Sequence, residues 1–446
     1  MIHKFTMFET NIVVDVNSGA VHEVDDAAMA VIDLYLQEDY STIVDKFGPQ
    51  FGNEEIEDAY NEIKSLEQGG LLFTEDTFES NPKLRNDNSI IKAMCLHVSH
   101  DCNLRCGYCF AATGNFGGER LLMSAEVGRK SIDFLLKNSD GRKNLEIDFF
   151  GGEPLMNFGV VKEIVEYSLS KEKEYNKKFN FTLTTNGVLL NDDNIKYMNE
   201  HMQNIVLSID GRKKTNDSMR TRLDGTGSYD RILPLLKKVA ESRNQDKYYV
   251  RGTYTAKNID FSEDVMHLAD QGFKQISIEP VVAAKGTEYE LMEEHLPELF
   301  KEYEKLAMEY SKRNKGDEWF NFFHFMLDLS GGPCIAKRLS GCGAGHEYVA
   351  VTPEGDIYPC HQFVGIDNMK LGNIYKEGLD ESIQKIFKSS NVYTKPECTS
   401  CWAKFYCSGG CAANSYQFNS NINSAYKIGC ELEKKRIECA LWLKTV

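Results

Sequence analysis

Three cysteines stand close together as Cys102-x3-Cys106-x2-Cys109, directly after an apolar stretch of the chain. Three thiolates on one short loop can each bind a different iron of a 4Fe-4S cubane, which needs a further ligand to be complete. The next cysteine along the chain is Cys334, so the remaining iron is left for a ligand from outside the protein. Zinc is the alternative, but it prefers paired cysteines or histidines that supply four ligands. The spacing therefore favours a cluster with one open iron.

The same loop, with Phe110 after its last cysteine, and the motif Gly151-Gly152-Glu153-Pro154 together resemble the radical S-adenosylmethionine (SAM) superfamily over about residues 90–310. The resemblance implies that SAM chelates the open iron through its amino and carboxylate groups. One electron from the cluster then yields a 5'-deoxyadenosyl radical that abstracts hydrogen from the substrate. It also implies the SAM contacts: Gly151, Gly152 and Glu153 at the amino group, Ser208 and Asp210 at the ribose, Asn186 in the pocket, Arg220 at the carboxylate, and Tyr108 and Phe110 beside adenine.

Three of these SAM contacts have an equally good explanation from residue type alone. Asp210 could cap a strand end, Asn186 could stand in a turn, and Arg220 could be a solvated surface charge. The Gly-Gly-Glu sequence by itself would be only a turn. The sequence therefore predicts these contacts through the resemblance and not through spacing.

A second set of cysteines lies in the C-terminal part, with Cys398-x2-Cys401-x5-Cys407-x3-Cys411 as its densest run. This pattern resembles the SPASM domain, which implies two auxiliary 4Fe-4S clusters and three clusters in total. A rubredoxin-like or zinc-ribbon site would explain the dense run but would leave the other cysteines without a role. The resemblance implies an outer cluster held by Cys398, Cys401, Cys407 and Cys430, and an inner cluster held by Cys342, Cys360 and Cys411.

The inner cluster lacks a fourth cysteine in this assignment. Cys334, eight residues before Cys342, could supply it. The iron could instead stay open for a substrate thiolate, because iron both deprotonates a thiol and holds it in place. The sequence leaves both alternatives standing. Two isolated cysteines, Cys95 and Cys439, are predicted to be small buried hydrophobic residues.

Alternating strand and helix patterns surround the three-cysteine loop and its neighbouring motifs. Strands are predicted at 93–98, 146–150, 179–184, 205–209, 248–253 and 275–278, with a long charged helix at 288–314. Six such units predict an α/β fold, a partial (β/α)6 TIM-type barrel, in which chemistry collects at the C-terminal ends of the strands. The SAM-binding motifs all follow such strand ends. Domains are predicted at 91–315 for the barrel and at 316–446 for the SPASM domain.

Residues 1–75 form a separate predicted unit, joined to the barrel by a polar linker at 76–90 that contains Pro82. An Asn-Ser-Gly turn within 10–24 indicates a hairpin, and helices are predicted at 25–37, 41–47 and 54–68 before a short strand at 71–73. The pattern resembles the winged-helix-like domain that binds leader peptides of ribosomally made peptides. The alternative is a structural cap on the barrel.

The composition of the chain argues against two classes of partner, nucleic acids and membranes. The formal net charge is -16, which repels phosphate backbones and argues against a nucleic-acid partner. No apolar run approaches the roughly 20 residues that a bilayer requires, so we expect a cytoplasmic protein without membrane contact. Thirteen cysteines in a reducing compartment predict metal binding in place of disulfides.

The whole arrangement resembles the SCIFF maturases, which act on a cysteine-rich precursor peptide with a leader. The resemblance implies sactionine-type thioether formation from a peptide cysteine to the α-carbon of an acceptor residue, with flavodoxin or ferredoxin as electron donor. Formylglycine formation or carbon-carbon crosslinking are the alternative reactions. A leader-peptide-binding or electron-transfer protein without turnover is the alternative from another class.

Overall fold

The computed structural model describes residues 1–80, 90–282, 285–329 and 335–446, of which 335–337 are described by their backbone alone. Cys334 and most of the predicted linker lie outside these ranges. No helix among the described residues is long and apolar enough to cross a membrane. Strands and helices are numbered below in chain order.

The N-terminal unit combines a three-stranded antiparallel sheet, in the order β1-β2-β3, with three helices. Gly19 has a φ of +77°, which suits the predicted Asn-Ser-Gly turn between the second and third strands. The first strand was not predicted. The predicted strand at 71–73 is wrong: Phe73 has a φ of +57°, and the segment bends instead of pairing. The elements are β1 Ile2–Met7, β2 Thr10–Asp15, β3 Val21–Val24, α1 Asp26–Leu34, α2 Tyr40–Phe51 and α3 Asn53–Gln68.

A large sheet forms the centre of the molecule, and its six long parallel strands follow one another in chain order. This order has no reversal point, which distinguishes a partial barrel from a doubly wound sheet. The predicted six-unit barrel is therefore confirmed. Its strands are β4 Ala93–Ser99, β6 Asn144–Gly151, β7 Lys178–Thr185, β8 Asn204–Ser208, β10 Tyr248–Tyr254 and β11 Gln275–Pro280, with the short β12 Asn321–Phe322 beside β11.

Helices cover the outer face of the barrel sheet and complete a continuous apolar core with it. Ser124 begins the first of them by accepting a hydrogen bond from the Val127 amide. The predicted helix 288–314 is shorter than expected, because Pro297 sets the start of the observed helix at Leu296. The helices are α4 Ala125–Asn138, α5 Phe158–Tyr175, α6 Asp192–His201, α7 Lys213–Met219, α8 Tyr229–Ser242, α9 Phe261–Asp270 and α10 Leu296–Arg313.

The C-terminal part joins the same sheet. Strand β13 (Tyr348–Val351) pairs in parallel with β4, and β14 (Asp356–Tyr358) and β15 (Gly372–Asn373) continue the sheet beyond it. The remaining elements are short helices, except for the last, which packs along α10. These are α11 Ile335–Ser340, α12 Glu381–Ser389, α13 Pro396–Thr399, α14 Lys404–Cys407, α15 Ala412–Asn419 and α16 Lys427–Trp442.

Candidate functional site

The three-cysteine loop begins directly after β4 and is held by a two-stranded antiparallel ribbon that the sequence did not predict. Its strands are β5 (Leu104–Cys106) and β9 (Arg220–Arg222), and Cys106 lies opposite Arg220. The Thr221 hydroxyl also donates to the Arg105 carbonyl at 2.8 Å. The ribbon therefore brings Arg220, a predicted SAM contact, next to a predicted cluster ligand.

Burial affects two of the three thiols of this loop. Burial raises the pKa of Cys102 to about 11 and that of Cys106 to about 12, in the latter case against the opposing charge of Arg220. Free thiols with such values stay protonated at neutral pH, and iron must displace their protons to bind. Iron binding at this loop is therefore coupled to proton release.

The Gly-Gly-Glu motif packs backbone to backbone against the start of the cysteine loop. The Gly152 amide donates to the Ser99 carbonyl at 2.7 Å, and the Glu153 amide donates to the Asp101 carbonyl at 2.9 Å. A Cβ atom added to Gly151 would lie 2.2 Å from the Ser99 carbonyl oxygen, and one added to Gly152 would lie 2.2 Å from that of Asp101. The two glycines thus allow the two loops to touch, a role that the sequence had placed at SAM itself.

The Glu153 carboxylate is fully buried beside the cysteine loop. It accepts hydrogen bonds from the Leu155 amide at 3.0 Å, the Thr185 hydroxyl at 2.8 Å and the Asn186 amide at 2.8 Å. Burial raises the pKa of this carboxyl to about 7, although the three hydrogen bonds oppose the rise. An ammonium group brought to it would complete a charge pair inside the protein.

Asp210, which the sequence analysis placed at the SAM ribose, is held by three neighbouring groups. It is fully buried, and its carboxylate accepts from the Tyr108 hydroxyl at 2.7 and 2.8 Å, the Arg220 Nε at 2.9 Å and the Thr253 amide at 3.0 Å. Three of these four contacts fall on Oδ1, and Asp210 is not among the residues that line the cavity described below. It positions Tyr108 and Arg220, which do. The alternative of Arg220 as a solvated surface charge is wrong, since only 8% of its surface is exposed.

One cavity at the C-terminal ends of the barrel strands collects the other predicted site residues. Asn186 stands at its wall, with its side-chain amide donating to Asn103 Oδ1 at 2.8 Å and lying 3.6 Å from the Cys102 sulfur. The predicted residues that line the cavity are Cys102, Cys106, Tyr108, Cys109, Phe110, Gly151, Gly152, Glu153, Asn186, Ser208 and Arg220.

The opposite wall of this cavity carries charges that the sequence analysis missed. Arg251 on β10 and Glu279 on β11 form a two-pronged ion pair through the Nε and Nη2 atoms of the arginine. Both side chains line the cavity and remain partly exposed to solvent. Burial alone would raise the pKa of Glu279, but Arg251 outweighs it and brings the value to about 2. The sequence offered one signal for this pair, a charged residue within each of two otherwise largely apolar strands.

A second missed residue, His361, enters the same cavity from the C-terminal part. Its ring lies 5.1 Å from that of Phe150 and 5.6 Å from that of Phe110. Burial, together with the charge of Arg251, lowers the pKa of His361 to about 4, so the imidazole is neutral. His361 directly follows Cys360, a predicted ligand of the inner cluster.

The C-terminal cysteines gather at two further places. All four predicted ligands of the outer cluster, Cys398, Cys401, Cys407 and Cys430, line one cavity between the short helices and α16. The predicted ligands of the inner cluster, Cys342, Cys360 and Cys411, lie near one another. Cys342 lines a small cavity there. As predicted, Cys95 and Cys439 are buried in apolar surroundings.

The donor sets fit iron-sulfur clusters. Among the described residues, no three His, Cys, Asp or Glu side chains form a group that could hold a single metal ion. A cubane does not need such a group, because each thiolate binds a different iron atom. Three thiols line the cavity at the C-terminal ends of the barrel strands, and four thiols line the outer cavity. Both sets match that requirement.

Family models match two parts of the chain. The model of the radical SAM superfamily matches residues 96–268, and that of SPASM, an iron-sulfur cluster-binding domain, matches residues 342–402. The radical SAM cyclopropyl synthase TigE of Paramaledivibacter caminithermalis is 24% identical over 93% of this chain and 89% of its own length. A cysteine-type anaerobic sulfatase-maturating enzyme of Clostridium perfringens is 26% identical over 70% of this chain and 86% of its own length.

Solved structures share the fold. The structure of native anSMEcpe with bound AdoMet aligns with a TM-score of 0.64 and 19% identity, over 79% of this chain and 98% of that chain. Streptococcus suis SuiB bound to the precursor peptide SuiA aligns with a TM-score of 0.53 and 18% identity, over 95% and 97% of the two chains. The two family matches show that the chain carries a radical SAM domain and a SPASM domain, and the solved structures share its fold.

Proposed function

We propose that this chain is a peptide maturase that installs thioether crosslinks between cysteine sulfur and the α-carbon of an acceptor residue in a ribosomally made, cysteine-rich peptide. The observation that carries the proposal is the shared cavity. Residues of the three-cysteine loop form one wall, and His361, next to the inner-cluster ligand Cys360, reaches the other. A peptide in this cavity would lie between the SAM site and an inner cluster that could bind its thiolate.

The residues of the first wall fit a 4Fe-4S cluster and SAM, which together supply a 5'-deoxyadenosyl radical when bound. Glu153 and Arg220 offer a carboxylate and a guanidinium to the amino acid part of SAM. Tyr108 lies under Arg220, with the guanidinium carbon 5.6 Å from the ring centroid. These side chains bind and orient the cofactor, and the enclosing wall excludes water from the reacting atoms.

In this proposal the Arg251–Glu279 pair forms the wall of the cavity that contacts the substrate. Glu279 accepts only from Arg251 among the described residues, and the Nη1 atom of Arg251 donates to none of them. The pair therefore presents a donor and an acceptor side by side without net charge. A peptide group, with its N–H and C=O, is complementary to such a pair. Holding a peptide group there would fix the rotation of the neighbouring α-carbon.

In this proposal the N-terminal unit would bind the leader of the peptide. Strand β3 lies at the edge of its sheet, so a leader segment could pair with it as an added strand. The unit contacts the C-terminal part, where the His3 ring stacks 3.7 Å from Trp402 and bonds Glu438 at 3.1 Å. A leader held at β3 would raise the effective concentration of the core peptide at the cavity.

The central experiment has two steps. First, the reconstituted protein is reduced without oxygen, with dithionite or with flavodoxin or ferredoxin as electron donor, and 5'-deoxyadenosine formed from SAM is measured. Failure of this step would contradict the enzyme assignment and favour an electron-transfer or leader-binding protein. Second, small cysteine-rich peptides encoded near the gene are added with SAM, and the products are examined by mass spectrometry.

Thioether formation predicts the loss of two hydrogens and of one alkylatable thiol per crosslink. A carbon-carbon crosslink or a cyclopropane would also lose hydrogen but would keep every thiol reactive toward iodoacetamide. Formylglycine formation from cysteine would also remove one thiol, but it would replace sulfur with oxygen and release two hydrogens, which gives a different mass. An unchanged peptide mass with all candidates would contradict the thioether proposal, and loss of hydrogen with an unchanged thiol count would favour a carbon-carbon crosslink or a cyclopropane.

A further inference from the structure

A lysine is buried between the two auxiliary cysteine sets. Lys395 is 3% exposed, and its Nζ atom donates to the carbonyl oxygen of Gly409 at 2.6 Å. Among the described residues, no carboxylate forms an ion pair with it. An ammonium group buried without an opposite charge is costly, so its position calls for a nearby anion.

Lys395 donates its hydrogen bond to the segment that connects the two sets of cysteines. This segment runs from Cys407, which lines the outer cavity, to Cys411, which belongs to the inner set. Its three central residues all have left-handed backbone angles, with φ of 61° at Ser408, 84° at Gly409 and 72° at Gly410. The resulting tight turn brings the Gly409 carbonyl to the lysine.

Lys395 lies close to both sets of cysteines. It stands three residues before Cys398 of the outer set, and its Nζ atom bonds Gly409, two residues before Cys411 of the inner set. Lys395 also lines the small cavity beside Cys342. One cation thus faces two places where thiolates would collect.

We propose that Lys395 is the shared counter-charge of the two auxiliary clusters and raises the reduction potential of both. The inference rests on the cluster assignment made under the proposed function. A 4Fe-4S cluster held by thiolates carries net negative charge, and its reduction adds one electron and no proton. A fixed positive charge favours the more negative, reduced form of each cluster.

A second buried lysine provides a matched comparison. Lys404 is 5% exposed and lines the outer cavity, but its Nζ atom is paired with the Asp76 carboxylate at 2.8 Å. The Tyr393 hydroxyl also donates to Asp76 at 2.7 Å. The pair is neutral overall, so removing both of its charges together should leave the cluster potentials nearly unchanged.

The test uses the full chain with Cys102, Cys106 and Cys109 changed to alanine, so that reducible iron belongs to the auxiliary clusters. Potentials are measured by redox titration followed by electron paramagnetic resonance. Lys395→Gln, which keeps a hydrogen-bond donor for Gly409, should lower the reduced-to-oxidised ratio at a given potential about tenfold, which equals a shift of about 59 mV for one electron. Lys395→Arg and the double variant Lys404→Gln with Asp76→Asn should change the potentials far less.

Unchanged potentials in Lys395→Gln, or an equal shift in the double variant, would overturn the inference. Loss of auxiliary iron in both Lys395 variants would also overturn it, because a purely structural role does not depend on charge. Loss in Lys395→Gln alone would support the counter-charge. Absence of any reducible cluster in the parent protein would instead contradict the auxiliary-cluster assignment.

Discussion

The two cysteine-rich regions of this molecule are held in place by different means. The loop that carries Cys102 is supported by the end of β4, by the β5–β9 ribbon and by backbone contacts with Gly152. The region from Cys398 to Cys411 is built from two four-residue helices and a left-handed turn. Elements this short have little stability of their own. We infer that the polypeptide positions the first region, whereas the second depends on its iron.

Removing a ligand from the first region should have the largest effect. Cys106→Ala should reduce SAM cleavage to background, because the cubane would lose one of three protein ligands. The fold and the auxiliary iron should remain, since β5 and β9 pair through their backbones. Iron content, circular dichroism and 5'-deoxyadenosine formation measure the three quantities.

Cys439→Ala is the matched control, because Cys439 is buried in the core of α16 away from the cavities. It should cost about 1 kcal/mol of stability and leave SAM cleavage intact. Persisting SAM cleavage in Cys106→Ala, or loss of all iron from it, would break the comparison between the two regions.

The backbone contact between the two loops can be tested at a glycine. In Gly152→Ala the new Cβ would overlap the Asp101 carbonyl, so the cysteine loop must move. A displacement of about 1 Å in a reacting group can cost roughly 100-fold in rate, and we expect a loss of that order in SAM cleavage. Gly159→Ala, where the Cβ meets nothing within 4 Å, should leave the rate unchanged. Equal rates in the two variants would refute a close-contact role for Gly152.

Removing iron should change the flexibility of the two cysteine-rich regions by different amounts. Chelation of the auxiliary iron should increase amide hydrogen exchange over 396–411 far more than over the strands β4 and β6, because metal-binding free energy there also stabilises the fold. Hydrogen exchange of the iron-loaded and iron-free proteins measures the difference. Equal protection of 396–411 in both states would show that the polypeptide alone maintains this region.

The smallest expected effect concerns the cavity wall formed by Arg251 and Glu279. Glu279→Gln removes the charge from the pair with Arg251 and should lower the yield of modified peptide per SAM cleaved about tenfold, since a charge-assisted hydrogen bond is lost. SAM cleavage itself should change little. Asp270→Asn, which removes the partner of Arg313 on the outer surface, is the control. An unaltered yield in Glu279→Gln would remove the substrate role of this wall.

The sequence predicted much of the barrel because each of its strands is a distinct apolar run followed by a helix. The six predicted strands agree with those observed to within two residues at each end. The β5–β9 ribbon was missed because its strands are three residues long and carry polar side chains. The hydrogen bond between Asp210 and Tyr108 was also missed, because the two residues are 102 positions apart along the chain and no local pattern reports such a contact.

The pairing of β13 with β4 has a practical consequence for dissecting the molecule. Cutting the chain between the barrel and the C-terminal part would remove the partner from one side of β4 and leave the backbone groups of residues 93–96 unpaired there. Such open edges recruit strands from other molecules and promote aggregation. An isolated barrel fragment would therefore be a poor reagent, and the two halves of the chemistry are best separated by point substitutions.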